Sequence, residues 1–307
     1  MNALFQSVVS GRKQFWTGFF LAGLGSVLFS AKAIVAKLSY RYGVDALTVL
    51  GFRMMLALPF FALITFFQSQ KARQGLIPRL TRTQHAQVVV LGFIGYYLAS
   101  YLDFLGLQYI SASLERLILF LAPTFVLVLS ALWLKKPIAG RQWIALALSY
   151  VGVVFVFVQD LSFTGYNVPL GSALVLGSAL SYAVYLIGSG ELLKQIGATR
   201  LVAYAMSVSC VISMVHFFAA YSWAGLDQPV EIYQLSLLHA VLHTVLPTFM
   251  IMWAVARIGA PMASQLGLLG PVSLLFLAAW LLDEPITMMQ LAGTAITLMG
   301  ALVLTRR

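Results

Sequence analysis

Ten apolar runs dominate this sequence, each long enough to cross the hydrocarbon core of a bilayer, which takes about 20 residues of helix. The runs are Phe15–Ala36, Ala46–Phe67, Ala86–Leu107, Ser111–Leu134 and Arg141–Gln159. Five more follow at Pro169–Gly190, Thr199–Trp223, Glu231–Ala256, Pro261–Leu282 and Thr287–Thr305. In lipid every backbone N–H and C=O must find a partner within the chain, so such runs form helices. A transmembrane barrel is excluded, because its strands would be alternating segments of about 10 residues. The first run is too long for the apolar core of a signal peptide and shows no clean cleavage signature. Composition agrees: 61% of the 307 residues are hydrophobic and only 9% are charged, against about 25% in soluble domains. The single cysteine, Cys210, rules out an internal disulfide.

Charge placement gives the orientation. With the N-terminus in the cytoplasm and ten alternating spans, 14 of the 19 basic residues fall in inside segments. Only Lys37 and Arg41 fall outside, and Lys32, Arg53 and Arg116 lie within spans. The acids Asp45, Asp160, Asp227, Glu231, Asp283 and Glu284 fall outside. This positive-inside pattern predicts that both termini are cytoplasmic. It also accounts for the net charge of +10. The basic residues are spread over loops, so nucleic acid is not an expected partner.

The two halves resemble each other. At an offset of 148, Ile110–Val154 overlays Ile258–Leu302, pairing Pro123 with Pro271, Pro137 with Pro285, Gln142 with Gln290 and Gly152 with Gly300. The first two spans of each half match weakly, near an offset of 153 or 154. Five spans is an odd number, so the second copy enters the membrane upside down. Inverted repeats of this kind are built for alternating access, with the solute near the midplane between them. The expected architecture is therefore an all-α membrane protein of ten transmembrane helices in two inverted five-helix repeats. Residues 1–14 form a tail, 15–159 the first repeat and 169–305 the second.

The stretch IGAPMASQLGLLGPVSLLFLAAWLLDEPITMMQLAGTAITLMGALV, beginning at Ile258, carries a family likeness. So does its first-half copy ISASLERLILFLAPTFVLVLSALWLKKPI. With ten spans arranged as 5+5, the chain resembles the drug/metabolite transporter superfamily, EamA type. In that family the first copy often ends in Glu before Pro; here Lys135-Lys136-Pro137 stands there, while Asp283-Glu284-Pro285 keeps the pattern. The resemblance implies a carrier of small metabolites, often an amino-acid exporter, with spans 1, 3, 4, 6, 8 and 9 lining the cavity.

Ionisable residues inside a span are costly, at about 2.5–3.5 kcal/mol near the helix centre, and so mark candidate sites. Lys32, Arg53, Asp103, Glu115 and Arg116 all fall in the first repeat, roughly 6–10 Å below the outer surface at 1.5 Å per residue. They read either as an outer gate or solute patch, or as a buried ion-pair cluster that fixes packing. One surplus positive charge favours Lys32 and Arg53 for solute contact. Under that reading Lys32→Ala loses flux at intact yield; under the structural one, both fall together. The second repeat has no equivalents: Glu115 and Arg116 map to Ala263 and Ser264.

His239 and His243 share a helix face at i,i+4. They read as solute or proton contacts, or as histidines hydrogen-bonded in the bundle; a metal would need further ligands that the sequence does not offer. His216 reads as structural. Tyr96, Tyr97 and Tyr101, with Tyr182, Tyr185, Trp253 and Gln265, complete the candidate lining. Pro123, Gly267, Gly270 and Pro271 read as packing or hinge positions. No Walker A, GxSxG or HExxH sequence is present, so coupling would come from the solute gradient or from protons. The expected function is a secondary transporter of small polar metabolites in the bacterial inner membrane, an amino-acid exporter or a relative of one, without cofactor. Its partners are the solute and the lipid bilayer, and it acts as a monomer or a homodimer. The competing reading is a membrane-embedded enzyme acting on a lipid or small hydrophobic substrate.

Overall fold

A computed structural model describes residues 2–135, 140–163, 167–267 and 269–305. Among the described residues there are helices and no strands. The first span is α1 (Asn2–Ser30) and α2 (Lys32–Tyr40), broken at Ala31. The second is α3 (Ala46–Arg73). The third joins α4 (Arg82–Gly92) to α5 (Ala99–Leu107) through a π-helical turn, Phe93–Leu98. The fourth is α6 (Ala112–Leu119) followed by α7 (Ala122–Leu134), and the fifth α8 (Gly140–Phe163). The second repeat opens with α9 (Val168–Ile196) and α10 (Ala198–Tyr221). Then α11 (Val230–Ala240) passes through a second π-turn, Val241–Val245, into α12 (Leu246–Gly267). Last come α13 (Leu269–Leu282) and α14 (Met288–Thr305). Eight helical segments are long and apolar enough to cross a membrane, and the shorter apolar helices Leu269–Leu282 and Met288–Gly300 complete the ten.

Local chemistry explains the breaks. Pro123 sits in the first turn of α7, where a missing N–H leaves nothing unpaired. Pro247 offers no N–H to the carbonyl of His243, so the regular ladder fails just where the second π-turn lies. The eighth and ninth runs share the helical stretch Leu246–Gly267, without the separate loop that the sequence predicts before Pro261. The chain reverses within it: Gly18 faces Arg257 and Ile258, Gly25 faces Met250 and Ile251, yet Ser26 faces Gly267.

The repeat is visible in the backbone. The two π-turns start at Phe93 and Val241, the same 148-residue offset as the sequence repeat. Lys135 and Asp283, also 148 apart, both adopt the left-handed conformation (φ 53° and 59°) just before Pro137 and Pro285. Packing crosses between the repeats: α1 lies on α12, α3 on α10, α5 on α9, α6 on α13 and α8 on α14. The α8–α14 seam depends on small residues. A Cβ at Gly152 would lie 2.2 Å from Thr297 Oγ1 and 2.4 Å from the Gly293 carbonyl. One at Gly300 would lie 2.5 Å from Ser149 Oγ. Helices in lipid associate through such close approach, because burial of apolar surface drives little there. Large side chains such as Trp280, Met288 and Leu132 face outward, as lipid contact requires.

One end of the bundle, opposite the chain termini, is tied across the repeats. Glu284 accepts hydrogen bonds from the Ala112 N–H (2.9 Å) and from the Ser113 hydroxyl (3.2 Å), and pairs with Lys37 at 3.6 Å. The Arg41 guanidinium donates to the Leu282 carbonyl (3.2 Å), and the Tyr221 hydroxyl donates to Asp45. From the seam, Gly152→Val is expected to lower the melting temperature in detergent by several degrees, with Gly190→Ala, which meets nothing within 4 Å, unchanged. Equal melting of both variants would disprove the close-packing account. From the latch, Glu284→Gln is expected to speed maleimide labelling of a Ser39→Cys probe at this end. Unchanged labelling would show that Glu284 does not hold it closed.

Candidate functional site

The charged residues of the first repeat converge. Lys32 opens α2, directly after the break at Ala31. Its ammonium donates to Asp103 Oδ2 on α5 and lies 3.6 Å from Glu115 Oε1 on α6. Asp103 and Glu115 are 1% and 0% exposed. The ammonium thus offsets one of the two carboxylate charges where isolated charge is costly, and the remaining negative charge faces the guanidiniums nearby. The cation also lies over the rings of Phe29 and Phe104, at 5.8 and 6.0 Å.

Two guanidiniums flank this group. Arg53 on α3 donates from Nε to Thr244 Oγ1 (2.8 Å) and stacks over Phe104 at 5.2 Å. Arg116 on α6 donates to Ser30 Oγ and sits between Phe29 and Phe120, at 5.7 and 5.9 Å. Neither meets a carboxylate among the described residues. Gly270 permits this arrangement: a Cβ there would fall 2.3 Å from Ser30 Oγ and 3.2 Å from Arg116 Nη2.

Lys32, Arg53, Asp103 and Arg116 border a cavity of about 380 Å³ between the repeats. This is within the range of about 300–1,000 Å³ typical of small-molecule sites. Its other walls are aromatic and small: Phe29, Tyr96, Phe120, Ser178, Tyr182, Met206 and Thr244 among them. The two π-turns face it, through Gly95 and Tyr96 on one and Thr244 on the other. Tyr96 and Tyr185 are hydrogen-bonded through their hydroxyls (3.1 Å), with Tyr182 stacked on Tyr185 at 5.7 Å.

The remaining candidates lie elsewhere. Glu115 sits behind Lys32 and does not reach the cavity, and Tyr185 supports Tyr96 from behind. His239 packs on Phe104 at 5.4 Å, and His243 Nδ1 meets the Leu28 carbonyl at 2.7 Å; neither borders the cavity. Tyr101 stacks on Tyr97 and meets His216 edge-on, away from it. Trp253 is 52% exposed and packs on Phe249, so it lines the outside of the bundle and not the cavity. The side chain of Gln265 lies outside the described residues. Gly267 accepts from Ser26 through its carbonyl (2.9 Å), and Pro271 is buried in α13. Span 2 contributes Arg53 and span 7 Met206, which extends the lining beyond spans 1, 3, 4, 6, 8 and 9.

Thr244, Phe29 and Ser30 escaped the sequence reading. Phe29 stands three residues before Lys32, a spacing that puts both on one face. Nothing in the sequence marks Thr244 beyond its place next to His243.

Both halves match one family model, that of the EamA-like transporter family, over residues 16–158 and 169–306. The chain belongs to the EamA-like transporter family. It is similar to the "Uncharacterized transporter YcbK" of Bacillus subtilis, at 30% identity over 88% of this chain and 86% of that one. An uncharacterized transporter of Archaeoglobus fulgidus is 26% identical over 72% of this chain and 78% of its own. An "S-adenosylmethionine/S-adenosylhomocysteine transporter" of Chlamydia trachomatis is 27% identical over 66% and 62%. One solved crystal structure shares the fold at a TM-score of 0.60 and 15% identity, covering 94% of this chain and 96% of that one. The protein is a multi-pass transporter of the bacterial inner membrane that moves small metabolites, and not an enzyme.

Lys32→Ala leaves Asp103 and Glu115 buried without the cation they pair with, a change that costs about 3–5 kcal/mol. Folded yield and melting temperature are expected to fall, and Asp103→Asn with Glu115→Gln should recover much of the loss. Wild-type stability in the single variant would show that the pairing contributes little.

Proposed function

We propose that this transporter exports a small carboxylate-bearing metabolite, an amino acid or a close relative of one, by alternating access between its two repeats. The observation that carries this reading is the pair of guanidiniums at the cavity wall, Arg53 and Arg116, neither of which lies within 4 Å of a carboxylate among the described residues. Guanidinium binds carboxylate through paired, charge-assisted hydrogen bonds. The cluster of three cations and two anions keeps one positive charge, which an incoming carboxylate offsets. Asp103 is the carboxylate at the cavity wall, and its Oδ1 accepts no hydrogen bond among the described residues. An α-ammonium group would compete with Lys32 for it. The Chlamydia relative supports the amino-acid part of the reading, because both molecules in its name carry an α-amino and an α-carboxyl group.

The charge pattern supports this direction. With both termini in the cytoplasm, the end closed by Glu284 faces outward. A solute would then load from the cytoplasm, as export requires. The repeat supports the cycle, since equivalent helices in opposite orientation exchange roles when the bundle switches.

The test is accumulation by purified protein in liposomes from a mixed metabolite pool, read by mass spectrometry with and without a pH gradient. Carboxylate-bearing solutes are expected to accumulate over empty liposomes, and Arg116→Gln is expected to reduce that flux severalfold at unchanged folded yield. Accumulation confined to solutes without a carboxylate, or none by folded protein, would overturn the reading.

A further inference from the structure

Arg53 is a buried cation on α3, and its terminal nitrogens make no hydrogen bond with the described residues. Its one hydrogen bond runs from Nε, on the opposite edge of the guanidinium, to Thr244 Oγ1 at 2.8 Å. The direction of that bond is fixed at both ends. The guanidinium can only donate. The Thr244 hydroxyl gives its single hydrogen to the His239 carbonyl at 3.0 Å and is left with lone pairs to receive Nε–H. His239 lies five residues back from Thr244, and the π-turn brings that carbonyl within reach. A hydroxyl in a regular helix instead reaches back three or four residues. The ring of Phe104, 5.2 Å from Cζ, restrains the plane of the same guanidinium. Edge and face are thus both held, and Arg53 borders the cavity.

Arg116 differs. It spends a terminal nitrogen, Nη2, on Ser30, and its Nε is buried without a partner. Only Arg53 among these two keeps both terminal nitrogens for a ligand. A carboxylate matches that fork with two parallel hydrogen bonds.

We infer that Thr244 is a positioning residue: through Nε and the π-turn it aims the Arg53 fork at the carboxylate of the solute. The inference rests on the proposed carboxylate specificity. Thr244→Val keeps the shape and removes the hydroxyl, leaving Nε–H unpaired and the fork free to turn. Thr244→Ser keeps the hydroxyl.

The experiment uses proteoliposomes and two probes, a mixture of L-amino acids and the matching decarboxylated amines. KM and maximal rate are measured for each solute that accumulates. In Thr244→Val, KM for carboxylate-bearing solutes is expected to rise about tenfold, the loss of one hydrogen bond to a charged group, with the maximal rate within about twofold. Uptake of any amine that accumulates should not change, and Thr244→Ser should keep the wild-type KM. In an Arg53→Lys background, which has no fork, Thr244→Val should add nothing. A wild-type KM in Thr244→Val, or equal effects on acids and amines, would overturn the inference while leaving the carboxylate reading intact. Wild-type protein that accumulates no carboxylate would overturn both. If Thr244→Val does not fold, the test falls to Thr244→Ser with KM kept and Arg53→Lys with KM raised. A wild-type KM in Arg53→Lys would overturn the inference.

Discussion

The ion pair at Lys32 is the constraint around which the first repeat is organised. Charge inside the hydrocarbon region persists only when it is paired or opens on a polar cavity. Lys32 on α2 therefore draws Asp103 of α5 and Glu115 of α6 to a single point. Three helices from three spans are held there. One ammonium offsets one of the two carboxylate charges, and the two guanidiniums beside it more than offset the other, so the group as a whole keeps one positive charge. Arg53 and Arg116 face the cavity, and their contacts among the described residues are hydroxyls and aromatic rings.

The short helix α6 links this site to the closed end. Its first residues, Ala112 and Ser113, are held by Glu284 of the other repeat, and Ser111 before it by Asp160. Its next turn carries Glu115 and Arg116 into the charged cluster, and it ends after Leu119, before Pro123. Clamp and site are therefore joined by about one helical turn. By sequence, the equivalent positions of the other repeat do not carry the groups of the clamp. The positions equivalent to Ala112 and Ser113 are Ala260 and Pro261, and proline has no N–H to donate. The position equivalent to Glu284 is Lys136, a cation that cannot accept a hydrogen bond. Equivalent positions at the two ends of the bundle thus carry unlike chemistry.

The sequence carries the architecture openly because lipid enforces it. Apolar length, basic loops and the 148-residue offset are long-range regularities that no single packing contact can erase. The charged members of the site were legible for a related reason: Lys32, Asp103 and Arg116 stand out against an apolar background. The geometry that uses them was not. Arg53 reaches the cavity from a span outside the expected lining, because α3 and α10 pack close enough to place Arg53 and Met206 on its wall. Trp253 reads as lining by type and span, but its helix phase turns it outward. Thr244 is an ordinary threonine until Pro247 widens the helix and shifts which carbonyl its hydroxyl can meet.

A carrier must hold its solute firmly enough to select it and loosely enough to release it. A site with fully satisfied charges would select nothing, and one with a bare cation in hydrocarbon would be too costly to fold. The arrangement around Lys32 lies between these limits. Each guanidinium is stabilised by one hydroxyl and by ring faces, interactions weaker than a carboxylate pair. Under the proposed reading, a carboxylate that enters gains a strong contact at the guanidiniums. Under that reading, the rings and hydroxyls remain as partial compensation after release. Under the same reading, the aromatic residues at 5.2–6.0 Å from all three cations serve as their resting partners between solutes.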